Sequence, residues 1–280
     1  MPRIAVVTDS TADFPGDAQE RLGIEMVPLT VVWDRDSFRD KLDLRIADFY
    51  RLMRERSTLP TTSAPSAGAF EETYERLLGE ADHVISVHLA GKLSATLDVA
   101  RGAAERVNRG KISVVDSGQT TMCLGWLAMR AAELGADGGA EPAAIVKELE
   151  SWVPRLRLYA VLDSLTNLQR GGRIGRAQAL VGSLLNFKPL LLVQEGQVLP
   201  IERPRSRASA MRRIVDVAAS QGKIEKIGVA EGDAPEIMDD LVRMVGERVP
   251  GVPVDRGEIG IVLGTHAGPG VFGVATLLAE

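Results

Sequence analysis

Chemistry in this chain must come from short polar islands set between apolar runs. The most informative are Thr61-Thr62-Ser63-Ala64-Pro65-Ser66, Gly91-Lys92-Leu93-Ser94-Ala95-Thr96 and Gly264-Thr265-His266-Ala267-Gly268-Pro269-Gly270. The first two precede helical patterns, where hydroxyls and free backbone N–H groups can cap the helix or hold an anion. Capping alone accounts for most of those Ser, Thr and Pro residues. The second island is not a phosphate-binding loop. Ser86 stands where its first glycine belongs, and Leu93 follows Lys92 where Ser or Thr is needed. What remains is Ser94 at a helix start, whose dipole favours a negative group by about 0.3–1 kcal/mol. A small carboxylate fits that better than a triphosphate. In the third island, an apolar run from Ile259 to Leu263 is expected to deliver His266, one of three histidines, into a glycine-rich loop. Backbone can approach a ligand closely there, and imidazole is easily tuned near neutral pH. A general base and an incidental turn histidine both fit.

Gly171-Gly172-Arg173-Ile174-Gly175 adds an arginine fork suited to carboxylate or phosphate, although the glycines also suit a helix end. Arg205 and Arg207 approach a helix near residue 208, and solvated surface charge is their default reading. Asp9, Asp13 and Asp116 could gather around a cation. Organising loops by hydrogen bonds is the stronger reading for them. His83 and His88 flank a strand and read as structural. No Gly-x-Ser-x-Gly elbow and no His-Glu-x-x-His motif occurs.

The elements that position these residues follow from periodicity. Strands are expected over Ile4–Val7, Val84–Val87 and Ile112–Val115, with extended chain over Ile24–Trp33. Helices are expected over Pro15–Leu22, Ile46–Arg54 (with Asp43 a plausible cap) and about Ala69–Leu78, with a hydroxyl-rich loop at 61–66. Val6-Val7-Thr8-Asp9-Ser10 is echoed by Val114-Val115-Asp116-Ser117, two strands ending in Asp-Ser. This βα alternation predicts a parallel sheet with helices on both faces and ligands beyond its carboxyl ends. After about residue 158 the pattern becomes mixed. Pro189–Val193 and Gln197–Ile201 read as a hairpin, Ala208–Ala219 as a helix and Ile227–Ala230 as a strand. Pro235–Val249 reads as a helix and Glu258–Leu263 as the final strand. The expectation is a two-domain α/β fold: a three-layer, parallel-sheet domain over 1–158 and a mixed-sheet α/β domain over 159–280 that contributes the His266 loop.

Composition bounds the function classes. The chain has 280 residues, 45% hydrophobic and 25% charged, and a net charge of −5, which argues against nonspecific nucleic-acid binding. Cys123 is the single cysteine, so no intramolecular disulfide exists and a reducing compartment is expected. The N-terminus lacks a secretory pattern, and no apolar run has membrane-spanning length. A soluble, cytoplasmic protein is expected.

Taken in order, these islands resemble the DegV family of fatty-acid-binding proteins, which includes the lipid-binding subunits of bacterial fatty acid kinase. Asp9-Ser10-Thr11-Ala12-Asp13 matches the family's Asp-Ser-Thr-x-Asp. Thr62-Ser63-Ala64-Pro65-Ser66 matches Thr-Ser-Gln-Pro-Ser, and Leu93-Ser94-Ala95-Thr96 matches Leu-Ser-Gly-Thr, each with one alanine departure. Gly171-Gly172-Arg173-Ile174 and the His266 island complete the set, which covers the whole chain. The resemblance implies a DegV-like two-domain fold enclosing one long-chain fatty acid, with no catalytic residue, metal or cofactor of its own. It implies a carboxylate site at Thr62, Ser63, Ser94, Thr265 and His266. It also implies a separate ATP-dependent kinase subunit that makes the acyl phosphate for phospholipid synthesis, faced by Arg173 and Arg205.

Energetics fit that division of labour. Burying each methylene gains about 0.8 kcal/mol, whereas a headgroup hydrogen bond nets only about 0.5–1.5 kcal/mol, or about 1.5–3 with a charged partner. A tunnel would set affinity and the polar head would set register. The aliphatic stretches Leu180–Leu192 and Val271–Leu278 are candidate walls. Two alternatives remain: a metal-dependent phosphotransferase or small-ligand kinase using Asp9, Asp13 and Asp116, and a regulatory lipid sensor without a kinase.

Overall fold

The architecture is set by which apolar faces must be covered. The computed structural model describes residues 2–136, 140–181 and 187–280. Its first half holds β1 (Ile4–Asp9), α1 (Ala18–Arg21), β2 (Glu25–Val27), β3 (Thr30–Trp33), β4 (Asp36–Arg39), α2 (Ile46–Glu55) and β5 (Thr61–Ser63). It continues through α3 (Ala67–Leu78), β6 (His83–His88), α4 (Thr96–Asn108), β7 (Ile112–Asp116), α5 (Thr121–Ala136) and α6 (Pro142–Trp152). The second half holds β8 (Leu156–Val161), α7 (Thr166–Arg170), β9 (Leu190–Gln194), β10 (Gln197–Glu202) and α8 (Arg207–Ala219). It ends with β11 (Ile224–Gly232), α9 (Met238–Arg248), β12 (Val254–Glu258), α10 (Ile261–Ala267) and β13 (Val271–Leu278).

A parallel sheet runs β2-β1-β6-β7, so the chain changes direction across the sheet between β1 and β6. The carboxyl ends of those two strands carry the Asp9 turn and the Ser94 loop, as expected for a topological switch point. A mixed sheet runs β10-β9-β8-β13-β11-β12, and the hairpin predicted over Pro189–Val193 and Gln197–Ile201 forms its edge as β9 and β10. These sheets stack in layers. Phe70 and Tyr74 of α3 and Ala100 and Ala103 of α4 cover one face of the parallel sheet. The other face shares a core with α5, α6 and the inner face of the mixed sheet, whose outer face is covered by α8 and α9. α5 is therefore apolar nearly all round, with Met122 through Met129 buried without a break.

Of a small antiparallel sheet, β4-β3-β5, only β3 was legible, within the extended Ile24–Trp33; β4 had no reading and β5 falls in the expected 61–66 loop. The sheet's Leu29, Val31 and Trp33 pack with Phe49 and Tyr50 of α2 and with Ile261 and Val262 of α10. The 61–66 segment is accordingly half strand: Thr62 pairs with Val31, and Ser66 caps α3 by accepting the Ala69 N–H at 3.2 Å.

Three local expectations are corrected. The Pro15–Leu22 helix is a single turn, Ala18–Arg21, ended by Gly23 at φ +61°. Asp43 does not cap α2, which starts after Arg45; a cap must directly precede the first helical residue, and Asp43 comes too early. It accepts the Arg39 N–H at 2.8 Å and pairs with the Arg39 guanidinium, which holds its carboxyl down at about 2. The Glu258–Leu263 strand is the largest error. β12 stops at Glu258, Gly260 turns the chain and Ile261–Ala267 is helical. Packing of Ile261 and Val262 against Phe49 and Tyr50 overrides the β-branched propensity of that run.

Candidate functional site

His266 thus lies in the last turn of a short helix, and Gly268 and Gly270 (φ +81° and +79°) make the turn into β13. Gly264 lies within α10 because the helix packs closely on Tyr50; a Cβ there would come 2.6 Å from the Tyr50 hydroxyl. This close packing directs the imidazole towards β5, where Nε2 is hydrogen-bonded to Thr62 Oγ1 at 2.8 Å. On the opposite side of the ring, Gly171 ends α7 against Nδ1. A Cβ at Gly171 would collide with the ring, so a side chain is excluded by contact rather than by backbone angle. Nδ1 is buried without a partner. An unmade acceptor is cheaper than an orphaned N–H, which assigns the ring proton to Nε2 and makes Thr62 Oγ1 its acceptor. The Thr62 hydroxyl proton is then available to another group. Burial first, and the Arg173 charge second, push the His266 imidazole down to about 4, so it is neutral at pH 7.

Arg173 follows the glycine pair on a short tether. Its guanidinium donates to Leu93 O at 3.1 Å and to Gly171 O at 2.6 Å, tying the α7 loop to the loop that carries Ser94. Ser94 Oγ accepts the Thr96 N–H at 3.2 Å and is hydrogen-bonded to the Thr96 hydroxyl at 2.9 Å. Ser94 is not the cap of α4, whose preceding residue is Ala95, but it lies at the helix start as expected and lines a cavity.

That cavity spans about 980 Å³ with its open mouth included, and its lining is largely apolar. Its floor is the inner face of the mixed sheet. Leu191, Ala160, Gly273 and Ala230 are successive partners across β9, β8, β13 and β11, and all four line it. Small side chains in the middle of a sheet leave a trench, and a Cβ at Gly273 would press to 2.8 Å from Tyr159 O. Opposite lie Leu89, Leu93 and Val262, with Thr62, Ser94, Thr120, Thr121, Arg173 and His266 as the polar members. Arg173 also borders a cleft lined by Lys92 and Arg176.

Thr62, Ser94 and His266, which the resemblance grouped, are brought together on this cavity, and Arg173, expected to face a partner, joins them. Ser63, Thr265 and Arg205 do not line the cavity. Ser63 is exposed and bonds to Ala64 O; Thr265 is buried and donates within its helix to Ile261 O; Arg205 is exposed. Of the candidate walls, Leu191, Val271 and Gly273 line the cavity, and Leu184 and Leu185 lie outside the described residues. Sequence reading missed Thr120 and Thr121, which line the cavity with buried, unpartnered hydroxyls at the start of α5. Their signal was the hydroxyl pair just after the echoed Asp116-Ser117 strand end.

The three aspartates do not converge. Asp9 bonds to His88, Leu89 and Thr11, Asp116 accepts the Gly91 and Gly118 N–H groups, and Asp13 pairs with Lys41. Among the described residues no group of three or more His, Cys, Asp or Glu side chains could hold a metal. No described helix is long and apolar enough to cross a membrane.

A parallel sheet with a loop-borne polar site, facing a mixed sheet across an apolar cavity, describes a ligand-enclosing α/β protein. The chain belongs to the DegV family, whose model ("Uncharacterised protein, DegV family") matches residues 3–278. It is 36% identical over 274 residues to Protein DegV of Bacillus subtilis, covering 97% of this chain and 98% of that one. Two solved structures are similar over nearly the whole chain. A DegV family protein from Thermus thermophilus, described as binding fatty acid, is 34% identical with a TM-score of 0.91, covering 99% of this chain and 100% of that one. The Bacillus subtilis DegV structure, described as a fatty acid binding protein, is 36% identical with a TM-score of 0.89, covering 100% of both.

Proposed function

We propose that this protein binds one long-chain fatty acid, with the acyl chain along the trench and the carboxylate at Thr62, Ser94 and His266. The observation that carries this reading is the convergence of those three side chains and Arg173 on a largely apolar cavity. With His266 neutral and its Nε2 proton given to Thr62, the Thr62 hydroxyl donates to the carboxylate, and Arg173 supplies the nearby positive charge. Thr265 supports the site through the helix backbone. The fatty-acid-binding relatives at 34% and 36% identity support the same ligand class.

The chain's further role is to present that carboxylate to a separate ATP-dependent kinase. A carboxylate oxygen attacks the γ-phosphorus of ATP held by the partner; the new O–P bond gives the acyl phosphate, and ADP leaves. Arg173, beside the open cleft with Lys92 and Arg176, and Arg205 on the surface would face the partner and the transferring phosphoryl group. In this reading the protein is a cytoplasmic carrier rather than an enzyme, and its product feeds phospholipid synthesis.

Mass spectrometry of the denatured, heterologously expressed protein should release a long-chain fatty acid. If none is released and delipidated protein takes up none, the reading fails. Arg173→Ala should keep the acyl chain and slow phosphoryl transfer in a reconstituted assay; loss of lipid instead would reverse the assigned role.

A further inference from the structure

The site's least explained component is the helix that aims His266. α10 has no side-chain cap of its own, because the residue before it is Gly260. The missing acceptor comes from far away in sequence: Asp40, at the end of β4, accepts the Ile261 N–H through Oδ1 at 3.2 Å. Asp40 is 1% exposed, and a Cβ at Gly260 would lie 3.3 Å from Asp40 Oδ1, so glycine there lets the carboxylate approach the helix start. The residue is held in turn by a short relay through its backbone, while its Oδ2 is buried with no hydrogen-bond partner. Asp40 N donates to Leu29 O, and Leu29 N donates to Ser10 Oγ. The next residue, Lys41, takes the left-handed conformation (φ +64°), donates to Ala12 O and pairs with the fully buried Asp13 at 3.1 Å. The Asp-Ser-Thr-Ala-Asp turn, whose chemistry the cavity does not use, is thereby joined to the helix that carries His266.

We propose that Asp40 is a positioning residue for the carboxylate site: as the cap of α10 it sets where the His266 imidazole meets Thr62. The geometry leaves little slack. α10 is two turns long, so a shift at Ile261 is transmitted to His266 with few intervening bonds to absorb it. Ser10, Asp13 and Lys41 hold Asp40 itself in place. The backbone N–H of a helix start is one of four that need an outside partner, and burial denies this one water. Burial raises the Asp40 carboxyl to about 6, opposed by Lys41, so it still serves as a charged acceptor at neutral pH.

The role assigned to Asp40 rests on the fatty-acid reading for its consequence, but not for its geometry, and the two can be tested apart. In ligand-free protein with isotope-labelled histidine, Asp40→Ala should shift the His266 ring resonances, whereas Asp40→Asn, which keeps an acceptor, should leave them near their wild-type positions. Unchanged His266 resonances in folded Asp40→Ala would overturn the proposal. Should Asp40→Ala fail to fold, Asp40→Asn carries the test. The Ile261 amide resonance must move, because its acceptor changes from carboxylate to carboxamide, and an Ile261 amide indifferent to that change overturns the contact. With palmitic acid as the probe, Asp40→Ala should raise the dissociation constant about tenfold, the usual scale of losing a cap. It should leave binding of the alcohol of the same chain length nearly unchanged, and Asp40→Asn should restore most of the acid's affinity. Equal weakening of acid and alcohol would show a collapsed cavity and refute a headgroup role. If wild-type protein binds neither probe, the fatty-acid reading fails while the resonance test of Asp40 still stands.

Discussion

His88 and His266 occupy opposite kinds of polar environment in one molecule. His88 has both ring nitrogens engaged: Nε2 with Ser86 Oγ at 2.7 Å and Nδ1 with Asp9 Oδ2 at 3.0 Å. Tyr74 closes the far end by bonding Ser86 at 2.8 Å, and Phe70 packs edge-on to the ring. Asp9, Ser86 and His88 are all 0% exposed, and none lines the cavity. Their connectivity is that of a hydrolase relay, but without access it serves as a bracket across the switch point between β1 and β6. His266 has one nitrogen engaged and the other pressed on Gly171, and it faces the cavity. A saturated network stabilises, whereas an unsaturated one retains capacity for a ligand. That difference, rather than residue type, separates the structural histidine from the one proposed to meet a ligand.

The comparison can be broken at either end. The largest effect is expected from Asp9→Ala, which strips the acceptor from His88, Leu89 and Thr11 at once. A loss of about 3–5 kcal/mol in urea unfolding is expected, with fatty-acid affinity per folded molecule little changed. If affinity collapses while stability holds, the bracket belongs to the site after all.

His266 should show itself through pH instead. Its imidazole is lowered from 6.5 to about 4, so on acidification the unfolded chain takes up the proton first. The residue then costs nothing above pH 6.5, costs progressively more as pH falls, and reaches its full cost below about pH 4. Relative to His266→Asn, the wild type should lose up to about 3 kcal/mol across that window, at roughly 1.4 kcal/mol per unit. A stability difference independent of pH would remove the argument for a neutral, desolvated ring.

A smaller change sharpens the contrast by geometry. Gly171→Ala drives a methyl group into Nδ1 and should cost about 1–3 kcal/mol by overpacking. Weaker fatty-acid binding should accompany it, measured by calorimetry on delipidated protein. Ser94→Ala should have the mildest effect, about 0.5–1.5 kcal/mol in affinity, because it removes one hydroxyl while the trench remains.

Much of this was legible beforehand. The islands around Thr62, Ser94, Arg173 and His266 were visible because loop residues that meet a ligand leave concentrated runs of hydroxyl, glycine and arginine. The parallel and mixed sheets followed from alternation and from the hairpin read over Pro189–Val193 and Gln197–Ile201. What stayed hidden depends on distance along the chain. Asp9 and His88 are 79 positions apart and Asp40 and Ile261 are 221 apart, so neither pairing has a local signature. For the same reason Glu258–Leu263 read as a strand: the partners that make its second half a helix, Tyr50 and Asp40, lie in another region of sequence.

β13 completes its sheet from the far end of the chain. It follows every other strand of its sheet in the chain, yet it lies between β8 and β11 and supplies Gly273 to the cavity floor. Without it, the other strands of that sheet would be two separate pieces, β10-β9-β8 and β11-β12, and the cavity would lack the Gly273 part of its floor. Closing the sheet and closing the ligand compartment are therefore one event, which depends on contacts far apart in sequence and is correspondingly slow. A ligand that arrives afterwards has only the cavity's open mouth as its way in.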